Sequence, residues 1–203
     1  MDAYIAQWHD GCGFDKLIFT LQPSIEQGHS VMGILGEIGA LEVLGPDVVA
    51  MSNLHQSASI RYAHAPGVLD RLMHAGSLVH APSVRMVLSQ LRSKPVEDSR
   101  YHWIFSTKGK CDDLYVLIET LRAAIVGVGL PVTVRNSAHL TVAYRARRPW
   151  LGPRHVPEVI CNFSHLNLVI ARTKPYRYET LASWSLDSAL ASPIQTTLIY
   201  PTR

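Results

Sequence analysis

The sequence has few of the features that define several large classes of protein. Its three cysteines, Cys12, Cys111 and Cys161, are odd in number, lie far apart and form no Cys-x-x-Cys pair. This spacing excludes a disulfide framework and argues against a cysteine-based zinc site. It is typical of a reducing compartment, so we expect a cytoplasmic protein.

Long apolar runs are also missing. Polar residues interrupt every apolar stretch well before it reaches the length that a bilayer requires, and the first residues do not combine a basic segment with an apolar one. We therefore expect neither a membrane span nor a signal peptide. The net charge of +3 permits a phosphate-bearing ligand without demanding nucleic acid. With 203 residues, of which 47% are hydrophobic, we expect residues 1–203 to form one domain, compact or two-lobed.

The sequence does contain two His-x-hydroxyl motifs. In the stretch 137–144, Leu140 and Val142 alternate with His139 and Thr141, which predicts a half-buried strand. Residues i and i+2 of a strand share a face, so the imidazole and the hydroxyl are expected to project side by side. The same spacing occurs upstream in His55-Gln56-Ser57, 84 residues earlier (139 − 55 = 84).

The remaining patterns predict the element order β-α-β-α-β-β-α-β-β-β. The predicted strands are 17–21, 54–61, 84–88, 101–105, 137–144, 163–171 and 177–186; the predicted helices are 24–44, 66–75 and 112–127; 93–99 is predicted as a turn, 145–155 as an exposed loop and 196–200 as an edge strand. Each His motif follows a strand and a helix, so the chain divides into two related halves.

Two imidazoles that face one cleft can carry out acid–base chemistry without a metal. An imidazole with a pKa near 6.5 acts as a base or an acid at neutral pH. One neutral and one protonated imidazole can serve both ends of an in-line displacement at phosphorus, while the hydroxyls hold the non-bridging oxygens.

The segments His55-Gln56-Ser57-Ala58 and His139-Leu140-Thr141-Val142 resemble the two motifs of the 2H phosphoesterase superfamily, which includes 2′-5′ RNA ligase-like proteins and cyclic nucleotide phosphodiesterases. The likeness extends over about residues 15–186, from an opening strand that ends at Pro23. It implies an α+β, bilobal fold in which two antiparallel sheets flank a central groove and the helices lie outside. Ser57, where threonine is commoner, and the small Ala58 depart from the usual first motif.

The resemblance also implies a function. It is metal-independent hydrolysis of a 2′,3′-cyclic phosphate or an oligonucleotide phosphodiester, with a nucleotide or RNA-type substrate and no cofactor. His139 is then the general base on water and His55 the general acid on the leaving ribose oxygen, or the reverse, and Ser57 and Thr141 hold the phosphate. Two other functions stay open. One is a non-catalytic RNA- or nucleotide-binding module, and the other a phosphodiesterase for a cyclic oligonucleotide or an ADP-ribose-type cyclic phosphate.

Three further residues are candidates for substrate binding. His102 reaches the cleft or packs within its strand, Tyr144 follows the second motif one residue out of register, and Arg145 opens a basic run that either guides a polyanion or is a solvated loop. His165 is expected to be an ordinary strand histidine. The grouping of His64, His74 and His80 lacks the carboxylate or cysteine that a zinc site would add, so no metal site is predicted.

Overall fold

The computed structural model describes residues 15–65, 67–132, 137–173 and 176–187. Its strands are β1 (Lys16–Leu21), β2 (Gln56–Ser57), β3 (Tyr62–Ala63), β4 (Val84–Val96), β5 (Arg100–Thr107), β6 (His139–Ala146), β7 (His155–Phe163), β8 (His165–Thr173) and β9 (Tyr176–Ser185). Its helices are α1 (Ile25–Glu37), α2 (Ala40–Leu44), α3 (Val68–Ser77) and α4 (Asp112–Gly127), and two 3₁₀ turns cover Gly45–Asp47 and Met51–Asn53.

The strands form two antiparallel sheets, which confirms the predicted α+β architecture. The first sheet has the order β2-β1-β8-β9, with β3 also paired to β1, and the second has the order β6-β5-β4-β7. The first sheet takes its strands from both ends of the described chain, whereas the second is built from one continuous stretch. Each sheet contains one motif strand, β2 in the first and β6 in the second, but the sheets are not two successive halves of the sequence, because the C-terminal β8 and β9 complete the first sheet.

Each sheet packs one face against helices. On β1 the alternate residues Leu17, Phe19 and Leu21 join the main core, together with apolar residues of α1, α3 and α4. Ile18 is equally buried but lies outside that core. Because neighbouring residues of a strand point to opposite faces, Ile18 and Thr20 lie on the other face.

We call this other face of each sheet the motif face. Thr20 is directly opposite Ser57 in the first sheet, and Ile104 is directly opposite Thr141 in the second. Directly opposed residues of an antiparallel pair share a face. Both motif hydroxyls therefore lie on the faces turned away from the helices.

Two of the predicted helices follow local patterns closely. Helix α1 begins with the predicted capping box, in which the Ser24 hydroxyl accepts from the Gln27 N–H and the Gln27 side chain accepts from the Ser24 N–H. Helix α4 has the predicted bounds. The predicted continuous helix 24–44 is wrong, because the chain passes through Gly39 with φ of 74° and begins a separate helix α2.

Several predicted strands have other bounds in the structure. Of the strand predicted for 54–61 only the two residues of β2 form, His55 precedes β2, and β3 begins after the predicted end. Strand β7 is absent from the prediction, while β4 continues through Pro95, so the predicted turn shortens to 97–99. The predicted strand 196–200 lies outside the described residues. No helix in the described ranges has the length and hydropathy needed to cross a bilayer.

Candidate active site

The two His motifs meet where the edges of the two sheets touch. β2 is the edge strand of the first sheet and β6 the edge strand of the second. The Gln56 side chain joins them, because its Oε1 accepts the His139 backbone N–H at 2.6 Å while its Nε2 donates to the Ser57 carbonyl at 2.8 Å. Gln56 is fully buried. One side chain of the first motif thus fixes the backbone of the second.

The two imidazoles are held by the same local contact. His55 Nδ1 lies 2.8 Å from the Asn53 carbonyl oxygen, and His139 Nδ1 lies 2.7 Å from the Ser137 carbonyl oxygen. A carbonyl oxygen only accepts hydrogen bonds, so each Nδ1 carries the proton and donates. In the neutral ring, Nε2 then has a free lone pair. Both histidines are therefore oriented to accept a proton at Nε2.

Burial keeps both rings neutral near pH 7. The pKa of His55, which is only 5% exposed, is lowered from 6.5 to about 4, chiefly by loss of solvent. The Asn53 carbonyl opposes this shift, and the charges of Arg61 and His139 add to it. The pKa of His139 is lowered as well, first by burial and then by Arg92 and Lys94.

A third imidazole lies beside the second motif. His102 Nε2 is 3.0 Å from the Thr141 hydroxyl oxygen, and the His102 ring centroid is 6.5 Å from that of His139. Burial, followed by the charges of His139 and Lys94, lowers the pKa of His102 to about 4. His102 and the hydroxyl of the second motif thus form a hydrogen bond, and with the proton on His102 Nε2 the Thr141 O–H is left to donate to a ligand.

Tyr144 lies against His102 because β6 contains an extra residue. Ile104 is opposite Thr141 but the preceding Trp103 is opposite Ala143, so β6 has one residue more than β5 at this point. Such a bulge reverses the alternation of faces beyond it. The Tyr144 and His102 rings stack with centroids 5.6 Å apart and planes 16° apart.

The first motif adds hydroxyl groups from its own sheet. Ser57, Thr20 and Asn167 are aligned across β2, β1 and β8 and share the motif face. The Thr20 hydroxyl is buried and has no hydrogen-bond partner among the described residues. Asn167 donates from Nδ2 to Gln22 Oε1 at 3.3 Å. This row presents polar groups beside His55.

Arg145 is already paired with a carboxylate. Its Nη2 lies 2.7 Å from Asp98 Oδ2, and both side chains are well exposed. Nearby, Arg147 contacts Asp47 both through its backbone N–H and through its guanidinium. The role of Arg145 in substrate binding stays a prediction, and the ion pair places this guanidinium at the turn between β4 and β5.

Sequence patterns did not point to three residues near the site. Gln56 had a weak signal, a polar residue between two motif positions of a short strand. Tyr178 of β9, whose ring centroid is 4.5 Å from that of His55, had none, nor did Arg92.

His165 is exposed on β8, with Nδ1 2.9 Å from the Ser164 hydroxyl. In the part of the chain that the structure describes, no three His, Cys, Asp or Glu side chains form a metal-binding group.

Comparison with known proteins identifies the architecture. No family model and no curated protein sequence matches the chain. Among solved structures, E. coli LigT in its apo form is similar with a TM-score of 0.64 at 17% identity, over 87% of this chain and 99% of LigT. A protein described only as a phosphoesterase is similar with a TM-score of 0.66 at 17% identity, over 86% of this chain and 99% of that one. TT0787 of Thermus thermophilus is similar with a TM-score of 0.57 at 18% identity, over 84% of this chain and 97% of TT0787. Two antiparallel sheets with outer helices, arranged as in LigT, give this chain the fold of the 2H phosphoesterases, as the two motifs predicted.

Proposed function

We propose that the protein is a metal-independent phosphoesterase that hydrolyses a 2′,3′-cyclic phosphate or an oligonucleotide phosphodiester. The observation that carries the proposal is the seam between the sheets, where the residue before β2 and the first residue of β6 each supply one imidazole with Nδ1 bound to a carbonyl. The titrating ring nitrogens are then the two Nε2 atoms. The proposal treats residues 1–203 as one bilobal domain, because each half contributes one motif. The cysteine pattern supports a cytoplasmic location.

The proposed reaction is an in-line displacement. His139, which is more exposed than His55, accepts a proton from water at Nε2 as the water oxygen attacks phosphorus. The bond from phosphorus to one ribose oxygen breaks, and His55 donates a proton to that oxygen. Ser57 and Thr141 donate hydrogen bonds to the non-bridging oxygens, where negative charge increases.

His55 takes up the proton for the leaving group when the substrate binds. In the free protein the depressed pKa of His55 leaves its Nε2 unprotonated at neutral pH. An anion bound next to the ring favours the imidazolium and raises that pKa. We therefore expect the binding of a nucleoside 3′-phosphate product to be accompanied by proton uptake near pH 7.

The similar structures support a nucleotide substrate. LigT has been crystallised with 3′-AMP, with ATP and with NADP⁺. These ligands all contain a ribose phosphate, and we propose that the site of this chain accepts the same group.

The test is turnover of nucleoside 2′,3′-cyclic monophosphates, followed by chromatography of the product. His55→Ala and His139→Ala are each expected to lower kcat by about 10²–10⁴-fold, the usual contribution of one acid or base. His29→Ala is the control, since this histidine is exposed on helix α1, on the side of the sheets that faces away from the motifs. It should keep full activity.

Chelation provides the second arm of the test. Incubation with EDTA is expected to leave the rate unchanged. Full activity in either alanine variant, or loss of activity on chelation, would overturn the proposed mechanism. Salt-sensitive RNA binding by a wild-type protein that hydrolyses no cyclic phosphate would instead identify a binding module.

A further inference from the structure

Two cations lie on the same face of the second sheet as the second motif. Arg92 of β4 is opposite Ile104 of β5, which is in turn opposite Thr141 of β6. Lys94 is opposite His102. Directly opposed residues share a face, so the row Thr141, Ile104 and Arg92 runs across the sheet on the motif face. Arg92 and Lys94, which are two residues apart along β4 on this face, are called the cation row.

The cation row is not neutralised by the protein. Among the described residues, no carboxylate forms an ion pair with Arg92 or Lys94. The Arg92 Nε is buried and has no hydrogen-bond partner in the same set. A buried N–H without a partner costs free energy that a bound acceptor removes. The peripheral Arg145 and Arg147, by contrast, are both paired with aspartates.

The cation row lies within reach of the reacting group. Neighbouring strands are about 4.8 Å apart, so the Cα atoms of Arg92 and Thr141, two strands apart, are separated by about 10 Å. The charges of Arg92 and Lys94 both lower the pKa of His139, which is consistent with this short separation.

A second row of polar residues crosses the sheet next to the row that contains Arg92 and reaches the far edge strand β7. Gln90 is aligned with Ser106 and His139 on one side and with His155 on the other. Its Oε1 accepts from Arg154 Nη2 at 3.2 Å. A chain of phosphates that begins at His139 therefore meets hydrogen-bond donors and positive charge along β4.

We propose that the cation row binds a second phosphate group of the substrate, beyond the one that reacts. This inference rests on the proposed function for the position of the first phosphate. Arg92 donates from its guanidinium to the second phosphate and Lys94 adds charge at the solvent side. The chemical class of substrate is thus a nucleotide with at least two phosphates, the second supplied either by a 5′-phosphate or by the next internucleotide linkage.

The test compares equilibrium binding of three product-like ligands by titration calorimetry at fixed salt. They are 3′-AMP, adenosine 3′,5′-bisphosphate and the dinucleotide ApA with a 3′-phosphate. A hydrogen-bonded second phosphate is expected to lower Kd by about 10- to 100-fold relative to 3′-AMP. Preference for the bisphosphate identifies a 5′-phosphate as the second group, and preference for the dinucleotide alone identifies an internucleotide linkage.

Arg92→Gln should abolish the preference while leaving the Kd for 3′-AMP within about threefold, because Arg92 donates its hydrogen bonds to the second phosphate and acts on the first site only through its charge. Lys94→Gln, at an exposed position, should reduce the preference by about two- to fivefold. The matched control is Arg122→Gln on the outer helix α4, which removes the same charge from a pair with Glu119. It should bind all three ligands as the wild type does.

Equal affinity of the wild type for the three ligands would overturn the inference, as would a preference that survives in Arg92→Gln. Hydrolysis is measured separately on nucleoside 2′,3′-cyclic monophosphates. Turnover without a binding preference rejects the cation row as a subsite and keeps the proposed function. An Arg92-dependent preference without turnover rejects hydrolysis and keeps the subsite.

Discussion

The side chain of Gln56 connects the two halves of the site, so its replacement tests whether that seam positions His139. Gln56→Met keeps the length of the side chain but removes the acceptor of the His139 N–H, at 2.6 Å, and the donor to the Ser57 carbonyl, at 2.8 Å. The His139 N–H is then left without its partner beside a fully buried side chain.

Loss of a partner for a half-buried N–H lowers the free energy of unfolding by about 1 kcal/mol, the low end of the range for buried groups, and the Ser57 carbonyl, which has a second lone pair, adds less. The expected effect on turnover is larger than stability alone explains. A displacement of a reacting group by about 1 Å lowers the rate by about 10²-fold. We therefore expect a loss of kcat of this order in protein that is still folded.

Urea unfolding, followed by tryptophan fluorescence, to which the buried Trp103 contributes, gives the stability, and turnover of a cyclic phosphate gives kcat. Gln27→Met is the matched control, because Gln27 likewise accepts a backbone N–H, that of Ser24 at 3.1 Å, and donates to a carbonyl, that of Asn162 at 3.2 Å. It should lose about 1 kcal/mol of stability as a cap variant, with kcat unchanged. A folded Gln56→Met protein with kcat within about threefold of the wild type would refute the positioning role.

Two further predictions follow from the buried groups. Because the pKa of His55 is about 4 in the folded protein and 6.5 when unfolded, its contribution to the free energy of unfolding is complete above pH 6.5 and is lost as the pH falls towards 4, about 3 kcal/mol in all. Urea unfolding at pH 7 and pH 4.5 should show a shallower pH dependence in His55→Gln, and an identical dependence would contradict the burial argument. Thr141→Val removes the hydroxyl that His102 contacts and should lower kcat by about 10²-fold, as the loss of one donor to a developing oxyanion does. Thr141→Ser should restore most of that activity. Equal rates for the two variants would show that the hydroxyl does not stabilise the transition state.

Local patterns in the sequence predicted the elements that depend on local physics. Helix α4 has an apolar stripe at helical spacing and a glycine at its end, and the structure has the predicted bounds. Strand β6 alternates clearly, and Ser24 and Gln27 form the predicted capping box. In these segments the side chains that determine the conformation lie within a few residues of one another.

The features that the sequence did not predict depend on sheet register. Tyr144 was one residue out of phase with the motif, yet a bulge in β6 turns it onto His102. The alignment of Arg92 with Thr141 passes through Ile104 of an intervening strand. The contact of Tyr178 with His55 requires β9 to follow β8 in the first sheet. Such relations join distant segments, and a single sequence carries no local signal for them.

The route of the chain through the sheets determines when the site can assemble. β1 pairs with β8, so Lys16 must find Ala171 after the whole second sheet has been synthesised. Contacts between such distant segments slow folding, because a long loop must close first. On the ribosome the second sheet can form as soon as it emerges, whereas the first waits for the arrival of β8. The two imidazoles are therefore brought together late in biosynthesis, and a nascent chain that stops before β8 has no completed first sheet to carry His55.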